Sequence, residues 1–96
     1  MKIKVKGYLI FRDVTGGKSG LEIEAESATL REMLVELSER LGEPLSNFLF
    51  NSVTKDINPL NIILINGRHY RYLSNGLDTA LRDEDVLSIF PPMMGG

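Results

Sequence analysis

The chain has 96 residues, 43% hydrophobic and 25% charged, enough for one compact domain of ordinary soluble composition and too few for two. Eleven basic and thirteen acidic side chains leave a formal net charge of −2, so no strong positive field favours nucleic acid or a membrane surface. The lack of cysteine removes disulfides, thiolate nucleophiles and cysteine-ligated metals from this chain and fits a reducing compartment.

Ile3 and Val5 alternate with Lys2, Lys4 and Lys6, the period of a strand with one buried face, and Tyr8-Leu9-Ile10-Phe11 extends the apolar run. The same alternation is unlike the continuous apolar stretch of a signal peptide, and no segment approaches the roughly 18 apolar residues of a membrane span. A cytoplasmic location is the expectation. Lysines on the outer face are expected to discourage pairing at a sheet edge. Gly16 to Gly20 is a turn cluster, and Leu21, Ile23 and Ala25 then alternate with Glu22, Glu24 and Glu26, which predicts a hairpin with oppositely charged outer faces. Thr29 followed by Glu32 fits a capping box, and Leu30, Met33, Leu34, Leu37 and Leu41 recur at helical spacing until Gly42 and Pro44 end the helix.

Residues 43–60 carry no period. Leu45, Phe48 and Leu49 suggest one short helical turn, and the remainder reads as a surface link. Asn61 to Ile65 is nearly continuous in apolar residues, which predicts a central strand buried on both faces. Asn66-Gly67 is a strong two-residue hairpin signal, with His69 to Leu73 as the returning strand. Ser74 to Gly76 turns the chain, Leu77 to Leu81 crosses over, Asp83-Glu84-Asp85 turns it again, and Val86 to Phe90 closes the sheet. The predicted fold is α+β, a ββαβββ roll of the β-grasp kind with a mixed sheet packed on one main helix. Residues 1–90 form the domain and 91–96 a flexible tail.

That tail is Pro91-Pro92-Met93-Met94-Gly95-Gly96. Two prolines favour an extended polyproline conformation, and glycines without a Cβ pass through a channel too narrow for other residues. Six extended residues reach roughly 20 Å, far enough to enter a partner's active site. The tail therefore presents the backbone carboxylate of Gly96 as the reacting group.

Other chemistry is weak by comparison. Gly17-Lys18-Ser19 resembles the end of a phosphate-binding loop, but that motif wants glycine where Arg12 stands and a helix afterwards, and here a strand follows. His69 is the only histidine and has no triad partner or second metal ligand in view. Asp83, Glu84 and Asp85 lack the spaced oxygen ligands of a calcium loop and read as a solvated turn. Tyr8, Phe48, Phe50, Tyr70 and Tyr72 read as sheet and core aromatics, some of which could belong to an apolar partner face.

Ile65-Asn66-Gly67, Leu77-Asp78-Thr79, Leu81, Asp83 and Asp85, and the run Val86-x-x-Ile89-Phe90-Pro91-Pro92 ending in Gly95-Gly96 carry a resemblance. The chain resembles the MoaD/ThiS sulfur-carrier family of ubiquitin-like proteins, most of all its members that serve as the small subunit of molybdopterin synthase. The likeness is densest over residues 61–96. Two departures stand out: Asp83-Glu84-Asp85 replaces the Asp-Gly-Asp turn common in the family, and Met93-Met94 sits where small or β-branched residues are usual.

The resemblance implies a ubiquitin-like β-grasp fold and a carrier with no independent catalysis and no bound cofactor or metal. A partner adenylyltransferase of the ubiquitin-activating type would use ATP to adenylate Gly96. A sulfur donor protein would then convert Gly96 to a thiocarboxylate, and the molybdopterin synthase large subunit would receive it for transfer to the pyranopterin precursor. Phe90, Pro91, Pro92, Met93 and Met94 would position the tail against the partner, and Gly95 would secure access. Conjugation of Gly96 to substrate lysines, and sulfur delivery to tRNA or thiamine, are the alternatives the resemblance leaves open. No nucleic-acid or membrane partner is implied.

Overall fold

A computed structural model of the chain describes residues 1–51 and 53–92. Five strands form one mixed sheet: β1 (Lys2–Gly7), β2 (Leu21–Glu24), β3 (Ile62–Ile65), β4 (Arg68–His69) and β5 (Val86–Phe90), in the spatial order β2-β1-β5-β3-β4. The pair β1 and β5 is parallel, and the other three pairs are antiparallel. One main helix, α1 (Leu30–Leu41), covers one face, and a single further turn, α2 (Leu45–Phe48), follows it. This is the β-grasp architecture expected from the order of elements.

Helix α1 begins where its sequence dictates. The Thr29 hydroxyl oxygen accepts from the Glu32 amide at 3.3 Å, and the Glu32 carboxylate accepts from the Thr29 amide at 3.1 Å, so two otherwise orphaned donors are satisfied reciprocally. Leu30, Met33, Leu34 and Leu37 share one helical face and are fully buried. They pack on the inner face of the sheet, where Ile3, Val5, Ile63, Leu87 and Ile89 point inward at the strand period.

The structure corrects several local expectations. The segment from Tyr8 to Phe11 is not a strand: after Gly7 the chain runs through three successive 3₁₀ turns, Leu9–Phe11, Asp13–Thr15 and Gly17–Ser19, before β2. Phe11 turns into the core, and the Thr15 hydroxyl donates to its carbonyl at 2.8 Å. A Cβ on Gly7 would lie 2.5 Å from the Phe11 carbonyl oxygen and would collide with the Thr15 hydroxyl, so only glycine allows this connection to fold tightly against β1. Nor is β1 an edge strand. It lies between β2 and β5, and the edges are protected instead by being only four and two residues long.

β3 is buried on one face, not two. Ile63 and Ile65 face the core, whereas Ile62 and Leu64 face outward, because α1 supplies a packing layer on the inner side only. The returning strand ends at His69, and Tyr70–Tyr72 forms a 3₁₀ turn.

The link after α1 is more ordered than its lack of period suggested, because polar side chains organise it. Asn51 accepts from the Val53 and Thr54 amides, Phe50 bridges Ile57, and Leu45, Leu49 and Ile57 are buried. Asn61 is fully buried and donates to the carbonyls of Phe48 and Asn58, tying the link to the start of β3.

Candidate functional site

Strand β5 is held on both sides where it ends. Tyr8 donates its amide to the Ile89 carbonyl at 3.0 Å on the β1 side, and Phe90 lies opposite Ile62 on the β3 side. Beyond the last ladder bond the Tyr8 and Phe90 rings stack with centroids 4.2 Å apart and planes 4° from parallel. Pro91 is buried and Pro92 half-buried. The root of the tail is therefore anchored, and its direction is set by two flanking strands. The expectations for Phe90, Pro91 and Pro92 fall on this root; those for Met93, Met94, Gly95 and Gly96 lie outside the described residues.

An apolar surface surrounds the root. Tyr8 is 38% exposed, Leu9 62% and Ile62 36%, all at one end of the outer sheet face. Leu9 also adopts φ 57°, a left-handed conformation that L residues with a Cβ enter at a cost of roughly 1–2 kcal/mol. A strained apolar residue that exposes most of its side chain contributes little to the core. Its geometry suits contact with another surface. The sequence alone marks neither Leu9 nor Ile62, because the first sits in a strand-like apolar run and the second in a run that predicts burial on both faces. For Leu9 the available signal is Lys6-Gly7, where the alternation of β1 stops; for Ile62 there is none.

The other candidates resolve as structure. The Asp83 carboxylate accepts from the Lys2 amide at 2.6 Å, and Asp85 accepts from the Arg82 amide at 2.8 Å and from the Asn66 side chain at 2.9 Å. Asn66 in turn accepts from the Val86 amide at 2.9 Å, so the acidic turn pins the start of β5 to β1 and β3. Glu84 holds φ 73°, so the glycine-like geometry of this turn is kept by a residue that resists it. Gly17-Lys18-Ser19 is a 3₁₀ turn leading into β2, not a loop opening a helix.

His69 Nδ1 accepts from the Arg71 amide at 3.1 Å, and the ring lies beside Tyr70 and Tyr72. Its pKa is pushed below the usual value, first by burial and second by the Arg71 charge. Of the five aromatics expected in the sheet and core, Tyr70 alone is buried; Tyr72 is 83% exposed. Among the described residues no helix is long and apolar enough to cross a membrane.

Known proteins place this geometry in a family. A family model described as the ThiS family matches residues 10–96. A protein of Archaeoglobus fulgidus, provisionally described as a sulfur carrier protein, is 37% identical over 76 residues, 79% of this chain and 83% of its own length. The small archaeal modifier protein 3 of Haloferax volcanii is 30% identical over 96 residues, all of both chains. A solved structure from Pyrococcus furiosus, provisionally described as molybdopterin converting factor subunit 1, superposes with a TM-score of 0.68 at 32% identity, covering 97% of this chain and 99% of that one. The chain belongs to the ThiS family, whose β-grasp proteins act as sulfur carriers and ubiquitin-like modifiers.

Proposed function

We propose that this protein carries sulfur on Gly96 for assembly of molybdopterin, as the small subunit of a molybdopterin synthase. The observation that carries the reading is the anchored root. Strand β5 is clamped between β1 and β3, Phe90 is stacked on Tyr8, and the sequence continues at once into Pro-Pro-Met-Met-Gly-Gly. Such a root suits a domain that acts as a handle for the residues beyond it. The likeness to the Pyrococcus protein points to molybdopterin among the possible destinations.

A carboxylate is a poor electrophile because its oxygen is a poor leaving group. An adenylyltransferase of the ubiquitin-activating type overcomes this by transferring AMP from ATP to the Gly96 carboxylate with release of pyrophosphate. A persulfide sulfur on a donor protein attacks the acyl carbon and AMP departs. A thiol then reduces the resulting acyl disulfide and frees the thiocarboxylate. The chain contributes position only: it binds no cofactor, and ATP is consumed on the partner. The large subunit receives the tail, and two charged carriers supply the two dithiolene sulfurs of the pterin.

The direct test combines the thiocarboxylated protein with the large synthase subunit of its own genome and the cyclic pyranopterin precursor. Formation of the dithiolene product is expected. No product, with the thiocarboxylate intact afterwards, would contradict the molybdopterin assignment. Full-length similarity to the Haloferax modifier favours a second reading, in which Gly96 is joined to lysines of other proteins. Gly-Gly remnants on cellular lysines that vanish when Gly96 is deleted would support it.

A further inference from the structure

A cleft opens beside the Tyr8–Phe90 stack, at the end of the sheet from which the tail departs. It encloses about 570 Å³ and has an apolar wall of Tyr8, Leu9 and Phe90. Its charged lining residues are Lys6, Arg12 and Lys18, and among the described residues no acidic side chain lines it. The three cations come from β1 and from two positions along the connection to β2, so folding brings them together and no local basic run does.

The chain as a whole is acidic, which makes this concentration of positive charge local and specific. Elsewhere on the same strands charges are matched: Lys2 lies opposite Glu24 and Lys4 opposite Glu22. Lys6 lies beyond that register and faces Ser88 on β5. Among the described residues the ion pairs are Met1 with Glu24, Arg31 with Asp78 and Arg40 with Glu36, and none involves Lys6, Arg12 or Lys18. Three like charges around one concavity repel one another, a cost that a complementary anionic surface would reverse.

We propose that this cleft receives an acidic segment of the adenylyltransferase, whose aspartate or glutamate carboxylates sit among Lys6, Arg12 and Lys18 while the tail enters its active site. The proposal rests on the carrier reading and adds a partner-selecting site to it. Two features favour a protein surface over a small anion. The cleft is continuous with the exposed apolar root, which an enzyme closing over the tail must cover. A free phosphate would leave the Tyr8, Leu9 and Phe90 wall exposed to water. Cations at such a rim act chiefly through steered association, which raises on-rates by about 10-fold or more at low salt and fades as the screening length falls.

The experiment measures ATP–pyrophosphate exchange by the adenylyltransferase of the same genome against concentration of the full-length carrier, over a salt series. The double variant R12E/K18E changes two exposed side chains outside the core. It is expected to raise KM for the carrier about 10-fold at low salt, to leave kcat unchanged, and to converge with wild type at about 1 M salt. The charge-conserving pair R12K/K18R should stay within about twofold of wild type, and equal melting temperatures would exclude misfolding.

An unchanged KM at low salt in a folded R12E/K18E protein would overturn the proposal. So would a loss of tripolyphosphate binding with KM for the enzyme unaffected, which would make the cleft a small-anion site. Calorimetry supplies an independent arm. If R12E/K18E strengthens binding to the enzyme in the full chain but not in a protein lacking residues 93–96, the occupant is the chain's own carboxylate and the proposal fails. If wild type supports no exchange, the carrier reading fails, and calorimetric binding still decides whether the cleft is used.

Discussion

The two faces of the sheet are built on opposite principles. On the inner face, Ile3, Val5, Ile63, Leu87 and Ile89 are sealed under α1, and nearly every apolar side chain is fully buried. On the outer face, at the end where β5 runs out, Tyr8, Leu9 and Ile62 remain substantially exposed, Leu9 is strained, and Lys6, Arg12 and Lys18 gather with no acidic partner among the described residues. One face holds the domain together. The other holds the root of the tail and leaves apolar side chains exposed around it.

Substitutions that affect one face and spare the other test this division. Leu34→Ala removes a fully buried side chain from the centre of α1 and should cost about 2–5 kcal/mol of stability, read from denaturant unfolding. Adenylation of the molecules that remain folded should be unchanged; loss of activity beyond loss of fold would break the division. Ile62→Ser, on the outer face opposite Phe90, should cost only about 1 kcal/mol in stability. It should nevertheless raise KM for the carrier in adenylation, and an unaffected KM would remove Ile62 from the docking surface.

Glu84→Gly relieves a left-handed residue in the turn that pins β5, against the greater freedom glycine has when unfolded, so a net gain of up to about 1 kcal/mol is expected. A loss would mean that the Glu84 side chain contributes more than its backbone strain costs. The smallest effect concerns His69. Its folded pKa lies below the usual 6.5, so the unfolded chain binds the proton more readily. The stability contributed by the neutral ring is complete above about pH 6.5 and is lost as pH falls through the depressed folded value. His69→Gln should flatten that part of the stability profile, and an unaltered slope would assign it to other groups.

Much of this was legible in the sequence where a single local rule operates. The capping box at Thr29 and Glu32, the apolar stripe of α1 and the Asn66-Gly67 turn each follow from side-chain chemistry within a few residues. The β-grasp order followed from the sequence of such elements. The sequence did not disclose the 3₁₀ connection after Gly7, because Tyr8 to Phe11 has the composition of a strand, while the bend depends on Gly7 allowing Phe11 and Thr15 to fold back on it. Ile62 could not be recognised as exposed from an apolar run, since burial of the second face depends on whether another layer exists. The basic cleft was hidden for a related reason: Lys6, Arg12 and Lys18 form no cluster in the sequence and meet only through the fold.

On the proposed function this domain serves as a handle for a reacting carboxylate on Gly96. The most direct test of that role is the intact mass of the full chain after incubation with its adenylyltransferase, ATP and a persulfide sulfur donor. Replacement of one oxygen by sulfur is expected, located to Gly96 by fragmentation and absent from a chain lacking Gly96. An unchanged mass under conditions where the enzyme activates another carrier would contradict it.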